Sequence, residues 1–128
     1  MPRLKTLIAL TLLACLQLTL PSQAEAATLD WKDNLLNQDR CLTLTRVKSK
    51  ETRTFCYWRK ATGYDRRGYD VANWMLRDVD YNAVVFMDPH LLDTLFIIQQ
   101  WLILEGRRGE IQVLSGYRTP EHNARTRG

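Results

Sequence analysis

The chain has 128 residues, of which 45% are apolar and 25% are charged, and its formal net charge is +4. These fractions are typical of an ordinary globular domain and exclude disordered, collagen-like and low-complexity architectures. Three cysteines are too few for a disulfide-dense mini-scaffold, and the length limits the chain to one domain.

The first 26 residues have the features of a secretory signal peptide. Two basic residues precede a largely apolar run over residues 7–20, which is too short to span a bilayer as a helix. An Ala-Glu-Ala sequence ending at Ala26 then provides the small residues that a signal peptidase requires. We therefore expect cleavage after Ala26, export to the periplasm or cell envelope, and a mature domain over residues 27–128. Two alternatives stay open, an uncleaved membrane anchor and lipidation at Cys15.

Cys41 and Cys56 lie in two segments that both alternate in polarity and are rich in β-branched residues. Residues 41–47 and 52–58 predict two strands of a hairpin. With Lys48-Ser49 as a two-residue turn, Cys41 falls directly opposite Cys56, which is close enough for a cross-strand bridge. In an oxidising compartment this pair predicts a structural disulfide. A redox pair and a zinc site are the alternatives, but the spacing is not Cys-x-x-Cys and no further ligands are nearby.

The segments around the hairpin carry weaker patterns. Residues 27–39 are a polar lead-in with four large apolar residues that are available to pack as a short helix. Residues 61–69 contain two glycines and a charge cluster, which together predict a loop. Apolar residues at helical spacing predict a helix over residues 71–79, whereas the short apolar segment 82–87 fits either a strand or a packed loop.

Asp88 and Pro89 begin the strongest local pattern, since aspartate is a good N-cap and proline is favoured at the first helical position. Large apolar residues then recur at intervals of three and four until Gly106, which predicts the principal core helix. Residues 111–114 follow as a buried strand. Thr119 and Pro120 repeat the cap-and-proline pattern and predict the start of another helix.

The segment Ser-Gly-Tyr-Arg-Thr-Pro-Glu-His-Asn at residues 115–123 follows an apolar helix and a strand. It resembles the Ser-Gly-Tyr-Arg segment of the zinc D-Ala-D-Ala carboxypeptidase and murein endopeptidase K superfamily. Leu-Arg-Asp at residues 76–78 and Met-Asp-Pro-His-Leu-Leu-Asp at residues 87–93 resemble the endopeptidase K branch. The resemblance runs from about Cys41 to Gly128. It implies an α+β fold, here an incomplete hedgehog/D,D-peptidase-like domain with an N-terminal disulfide-closed β-hairpin.

The resemblance also implies a function. Members of the endopeptidase K branch are exported, and the superfamily uses one zinc to activate water and cleave peptide cross-links in peptidoglycan. The arginine of the matching segment contacts a carbonyl or carboxylate of the substrate, and this role carries over to Arg118. The alternative is that Arg118 pairs with a neighbouring acid at a strand end. Peptidoglycan peptides are the expected partner, with no stable membrane span after signal cleavage. Nucleic acid is not expected, since the basic residues form no stripe with interleaved aromatics.

The zinc ligands of the superfamily lie in a downstream Ser-x-His-x-x-Gly-x-Ala-x-Asp segment and a later histidine, and the sequence reaches Gly128 without them. Its two histidines are His90, in the first turn of the core helix, and His122, in a stretch that shapes a loop in the superfamily. We therefore assign no metal ligand and no catalytic residue, and expect no tight zinc binding. The expected protein is the N-terminal part of a murein peptidase, truncated and inactive. A non-catalytic peptidoglycan-binding module and a small cationic disulfide protein such as an inhibitor are the alternatives.

Overall fold

A computed structural model describes residues 33–127, so the predicted signal peptide, its cleavage position and Cys15 lie outside the described residues. The strands are β1 (Arg40–Arg46), β2 (Glu51–Arg59), β3 (Gly63–Tyr64) and β4 (Glu110–Val113). The helices are α1 (Arg66–Met75), α2 (Pro89–Leu104) and α3 (Pro120–Thr126). This mixed architecture confirms the predicted α+β class.

The strands form one sheet in the order β3-β2-β1-β4, in which β2 is antiparallel and β4 parallel to β1. In the β1–β2 hairpin, Cys41 lies opposite Cys56 in the predicted register, and the two form a disulfide. The turn covers residues 47–50, so it is longer than the predicted two-residue turn, and Lys50 adopts a φ of 56°. Within the described part of the chain, β4 lies at an edge of the sheet with one side unpaired.

Helices α1 and α2 pack on one face of this sheet. Along β1, Leu42 and Leu44 are fully buried, whereas Thr43 and Thr45 point to the opposite face and pair with threonines of β2. This alternation follows from the two-residue period of a strand. The buried apolar core consists of Leu42, Leu44, Phe55, Tyr57, Ala72, Met75, Leu76, Leu92, Phe96 and Val113.

Helix α1 starts earlier than the sequence predicts. The glycines and charges of residues 61–69 indicate a loop, but Asp65 is the N-cap of α1 and accepts a hydrogen bond from the Gly68 N–H at 3.2 Å. Gly68 serves close packing, because a Cβ there would lie 1.8 Å from the Cys56 carbonyl oxygen. The predicted helix over residues 71–79 is therefore wrong at both ends, since α1 also ends at Met75.

Helix α2 begins as predicted, with Asp88 accepting a hydrogen bond from the His90 N–H at 2.9 Å and Pro89 in the first turn. Only a narrow stripe is buried, however, namely Leu92, Phe96 and Gln99. Trp101 is 60% exposed and Leu104 is 72% exposed, so the helix is apolar beyond the stripe that contacts the sheet. No helix among the described residues has the length and apolar character needed to cross a membrane.

Two segments had weaker sequence patterns, residues 82–87 and the lead-in at residues 27–39. Residues 82–87 form a loop and no strand: Ala83 makes an isolated bridge with Asp78, and the Met87 N–H donates to the Asn73 side chain at 2.9 Å. The loop is only partly packed, since Phe86 is 79% exposed. In the lead-in, Leu35 and Leu36 lie in a helical turn and pack against the core. Leu29 and Trp31 lie outside the described residues.

We expect the Cys41–Cys56 bond to stabilise the fold by closing a loop of 15 residues. By the chain-entropy relation, replacing both cysteines by serine should lower the free energy of unfolding by about 3 kcal/mol in urea titrations. Reductant should destabilise the wild-type protein and leave the double variant unchanged, which is the internal control. Free thiols in the purified oxidised protein, detected by alkylation and mass spectrometry, would contradict this prediction.

Candidate functional site

The loop between β4 and α3, residues 114–119, lies directly on the segment that follows α1. The Tyr117 N–H donates to the Leu76 carbonyl oxygen at 2.8 Å. A Cβ on Gly116 would lie 2.2 Å from that oxygen, so this position requires glycine. The Thr119 N–H donates to the Asp78 carboxylate at 2.8 Å. These contacts join the Ser-Gly-Tyr-Arg and Leu-Arg-Asp motifs, which are distant in the sequence.

Asp78 is the centre of this arrangement and is only 1% exposed. Besides the Thr119 N–H, its carboxylate accepts a hydrogen bond from the Asp80 N–H at 3.1 Å and lies 2.9 Å from His122 Nδ1. Burial acts to raise the pKa of Asp78, but the hydrogen bonds from Thr119, His122 and Asp80 outweigh it and hold the pKa at about 2. The buried carboxylate is therefore ionised and well supplied with donors.

His122 connects Asp78 to the more exposed Asp80. Its Nε2 lies 3.2 Å from the Asp80 carboxylate, while its Nδ1 faces Asp78. Lys48 of the hairpin turn also pairs with Asp80. The Thr119 hydroxyl caps α3 and accepts from the His122 N–H at 3.1 Å, as the Thr-Pro pattern predicts. The first turn of α3 is thus attached to two acids and, through Asp80, to the hairpin.

The arginine of the Leu-Arg-Asp motif has a structural role. Arg77 is buried, and its guanidinium donates to the Glu51 carboxylate at 3.1 Å, the Trp74 carbonyl oxygen at 2.8 Å and the Asn82 side chain at 3.2 Å. It also stacks on the Trp74 ring at 3.7 Å. These contacts tie the start of β2 to the end of α1.

Arg118 is exposed and lies in the loop after β4. It lines a polar cavity of about 170 Å³ together with Arg46, Lys48, Asp80 and His122. Its Nε donates to the Ser115 hydroxyl at 3.0 Å and its Nη1 to the Thr126 hydroxyl at 3.5 Å. No carboxylate of the described residues forms an ion pair with it, so it does not have the acidic partner that the structural alternative requires. A role in substrate binding stays a prediction.

Residues 114–117 also border a second, apolar cavity. This cavity has a volume of about 680 Å³, and Leu76, Met87, Leu91 and Leu95 form part of its lining. Leu114, Ser115 and Tyr117 line both cavities. The loop therefore separates a charged site from an apolar one, an arrangement that suits a ligand with a polar group and an apolar part.

Arg46, Lys48 and Asp80 were not predicted as site residues, and Asp78 was noted only as part of the Leu-Arg-Asp motif. A pattern for Arg46 was present in the sequence, because the two-residue period of β1 places it on the same face as the buried Leu42 and Leu44. The contact of His122 with the two acids depends on long-range packing and has no local pattern. His90 lies in the first turn of α2 as expected, and its side chain is 92% exposed and pairs with Asp88.

Asp78, Asp80 and His122 bring potential metal-ligand atoms within 4.8 Å of one another. Their geometry decides whether they can hold the zinc that the resemblance implies. Zinc ligands lie about 2.0–2.2 Å from the ion, and catalytic sites use three of them. Here the two ring nitrogens of His122 face different carboxylates, on opposite sides of the ring. The Asp78 carboxylate is also engaged by the Thr119 N–H. The arrangement therefore fits a histidine that is hydrogen-bonded to Asp78 and lies within ion-pair distance of Asp80, and it does not fit a catalytic zinc site.

We expect Asp78→Asn to destabilise the protein at neutral pH, because the amide cannot accept from Thr119 and His122 with the strength of a carboxylate. The pKa of Asp78 lies at about 2 in the folded protein against an ordinary 3.8. Its contribution is therefore complete above about pH 4 and is lost as the pH falls towards 2. In urea titrations, the difference between wild-type and variant should shrink across this interval. Asp70→Asn, on the exposed side of α1, is the charge-matched control and should change stability little at neutral pH. A difference that is constant with pH would contradict the prediction.

The model of the family described as peptidoglycan L,D-endopeptidase MepK matches residues 35–128, which include the hairpin, the core helix and the loop at residues 114–119. No curated protein and no solved structure matches the chain. The family match covers well over half of the sequence and agrees with the resemblance of the three motifs. The chain therefore belongs to the MepK family of M15 peptidoglycan endopeptidases.

Proposed function

We propose that this protein is exported, and that it binds the cross-link peptides of peptidoglycan in the periplasm or cell envelope. The signal-peptide pattern of residues 1–26 supports export, and the family supports the substrate. The described α+β unit is proposed to form part of a hedgehog/D,D-peptidase-like domain. The family description names an L,D-endopeptidase, so we propose that the bound peptide contains an L,D bond.

The observation that carries this proposal is the position of Arg118. Its guanidinium lies at a polar cavity without an acidic partner among the described residues, on a loop held in place by Asp78. A guanidinium is always charged and offers a planar set of donors, which suits a peptide carbonyl or carboxylate. The apolar cavity on the other side of the loop can accept the aliphatic part of the same peptide.

The M15 family is zinc-dependent, but the described residues do not fit a catalytic zinc site. The role that we propose for this polypeptide is therefore substrate binding and orientation. Hydrolysis in the family belongs to zinc ligands that the described residues do not provide in a suitable geometry. The alternative function is that of a non-catalytic peptidoglycan-binding module rather than part of a peptidase domain. Such a module would use the same proposed binding surface.

We expect the purified chain to release no muropeptides from sacculi, with or without added zinc. The measurement is chromatography of the soluble products after overnight incubation. Zinc titration by calorimetry should show no tight site, and His122→Ala should not change that result. Chelator-sensitive release of muropeptides, or tight zinc binding that His122→Ala abolishes, would overturn this assignment.

We expect Arg118→Ala to weaken co-sedimentation with sacculi by about tenfold, since hydrogen bonds to charged groups contribute about 1.5–3 kcal/mol and a tenfold change is 1.4 kcal/mol. Arg108→Ala removes the same charge from an exposed position outside the cavity and should bind as the wild-type protein does. Equal losses in the two variants would show that binding depends only on net charge, and would contradict the role of Arg118.

A further inference from the structure

Arg46 is the last residue of β1 and is only 4% exposed. It follows Leu42 and Leu44 on the face of the sheet that the helices cover. Its Nε and Nη1 atoms are buried and have no hydrogen-bond partner. Among the described residues, no other buried side-chain nitrogen or oxygen lacks a partner. Buried donors are nearly always satisfied, so this exception requires an explanation.

The acids near Arg46 are engaged elsewhere. The Asp78 carboxylate is bonded by Thr119 and His122, and the Asp80 carboxylate pairs with Lys48 and His122. They stabilise the charge of Arg46 at longer range without accepting from it. Burial, together with the nearby positive charge of Arg77, lowers the pKa of Arg46. The guanidinium nevertheless stays charged at neutral pH, because the ordinary arginine value lies far above it.

Arg46 borders a space that can hold a ligand. Arg46 lines the polar cavity of about 170 Å³, with Lys48 and Arg118 as further cations. This volume exceeds what a single water needs. A guanidinium has two planar forks of N–H groups, and each fork contains one of the two unpartnered nitrogens together with Nη2. Such a fork matches the two oxygens of a carboxylate.

We propose that the polar cavity is a carboxylate-binding site in which Arg46 is the principal anchor and Arg118 contacts the same ligand from the exposed side. The inference deepens the proposed function and rests on it for the source of the ligand, a free carboxylate of a cell-wall peptide. Through one of its forks, the carboxylate satisfies one of the two unpartnered nitrogens of Arg46. Asp78 and Asp80 also line the cavity, but their carboxylates are already engaged by Thr119, His122 and Lys48.

The test is a titration of the full chain with N-acetylalanine at constant ionic strength, followed through the ¹⁵N resonance of the Arg46 Nε–H group. We expect a saturable shift with N-acetylalanine and none with N-acetylalaninamide, which lacks the carboxylate. Arg46→Met should weaken binding at least tenfold, and Arg46→Lys should also weaken it because lysine lacks the planar fork. Arg108→Met is the matched control and should bind as the wild-type protein does.

Arg46→Met is expected to fold, because replacing a buried unpaired charge by an apolar side chain of similar length is often neutral or stabilising. Circular dichroism and urea titration check this. If the variant does not fold, the wild-type titration still decides, since an Arg46 Nε–H that does not shift overturns the proposal. Undiminished binding in folded Arg46→Met, equal binding of the acid and the amide, or a clear preference for inorganic phosphate would also overturn it.

The outcomes separate this inference from the proposed function. If N-acetylalanine leaves Arg46 unchanged while sacculi still bind through Arg118, the carboxylate site is wrong and the proposed function stands. If Arg46 binds the carboxylate while the chain does not co-sediment with sacculi, the carboxylate site is real but the source of its ligand is not peptidoglycan.

Discussion

The buried carboxylate of Asp78 is the interaction on which the arrangement of the site depends. A charge removed from water must be supplied with hydrogen-bond donors, and here the donors come from the loop after β4 and from the first turn of α3. The same residue is bridged to Ala83 through its backbone N–H and carbonyl groups. Asp78 therefore fixes three segments at one point, and Arg118 takes its place beside the polar cavity as a result.

Two buried arginines lie beside this point and differ in how they are satisfied. Arg77 donates to Glu51, to Asn82 and to a backbone carbonyl, so its charge is used to hold the hairpin against α1. Arg46 has a comparable burial but no such partners. Arg77 therefore stabilises the fold, whereas Arg46 has hydrogen-bond donors without partners. Unsatisfied buried donors of this type are expected at functional sites.

Local patterns predicted the parts of the fold that local interactions determine. The register that opposes Cys41 to Cys56 and the cap of α2 at Asp88 both follow from neighbouring residues, and both are present. The start of α1 was missed because Gly68 is a typical loop residue, whereas it packs against β2. The Asp78–His122 contact was missed for another reason, since it arises from packing between segments far apart in the sequence.

The position of β4 has a consequence for how the protein folds. Strand β1 pairs with β2 through a short turn, but with β4 only after α1 and α2 have been passed. Hairpins form within about 1–10 μs, whereas non-local pairing waits for the closure of a long loop. Until β4 joins, β1 presents an open edge at Arg46, whose partner in the finished ladder is Val113. A chain in which the hairpin has formed but β4 has not yet paired therefore has no complete polar cavity, so the capacity to bind a ligand there depends on the most distant strand pairing of the sheet.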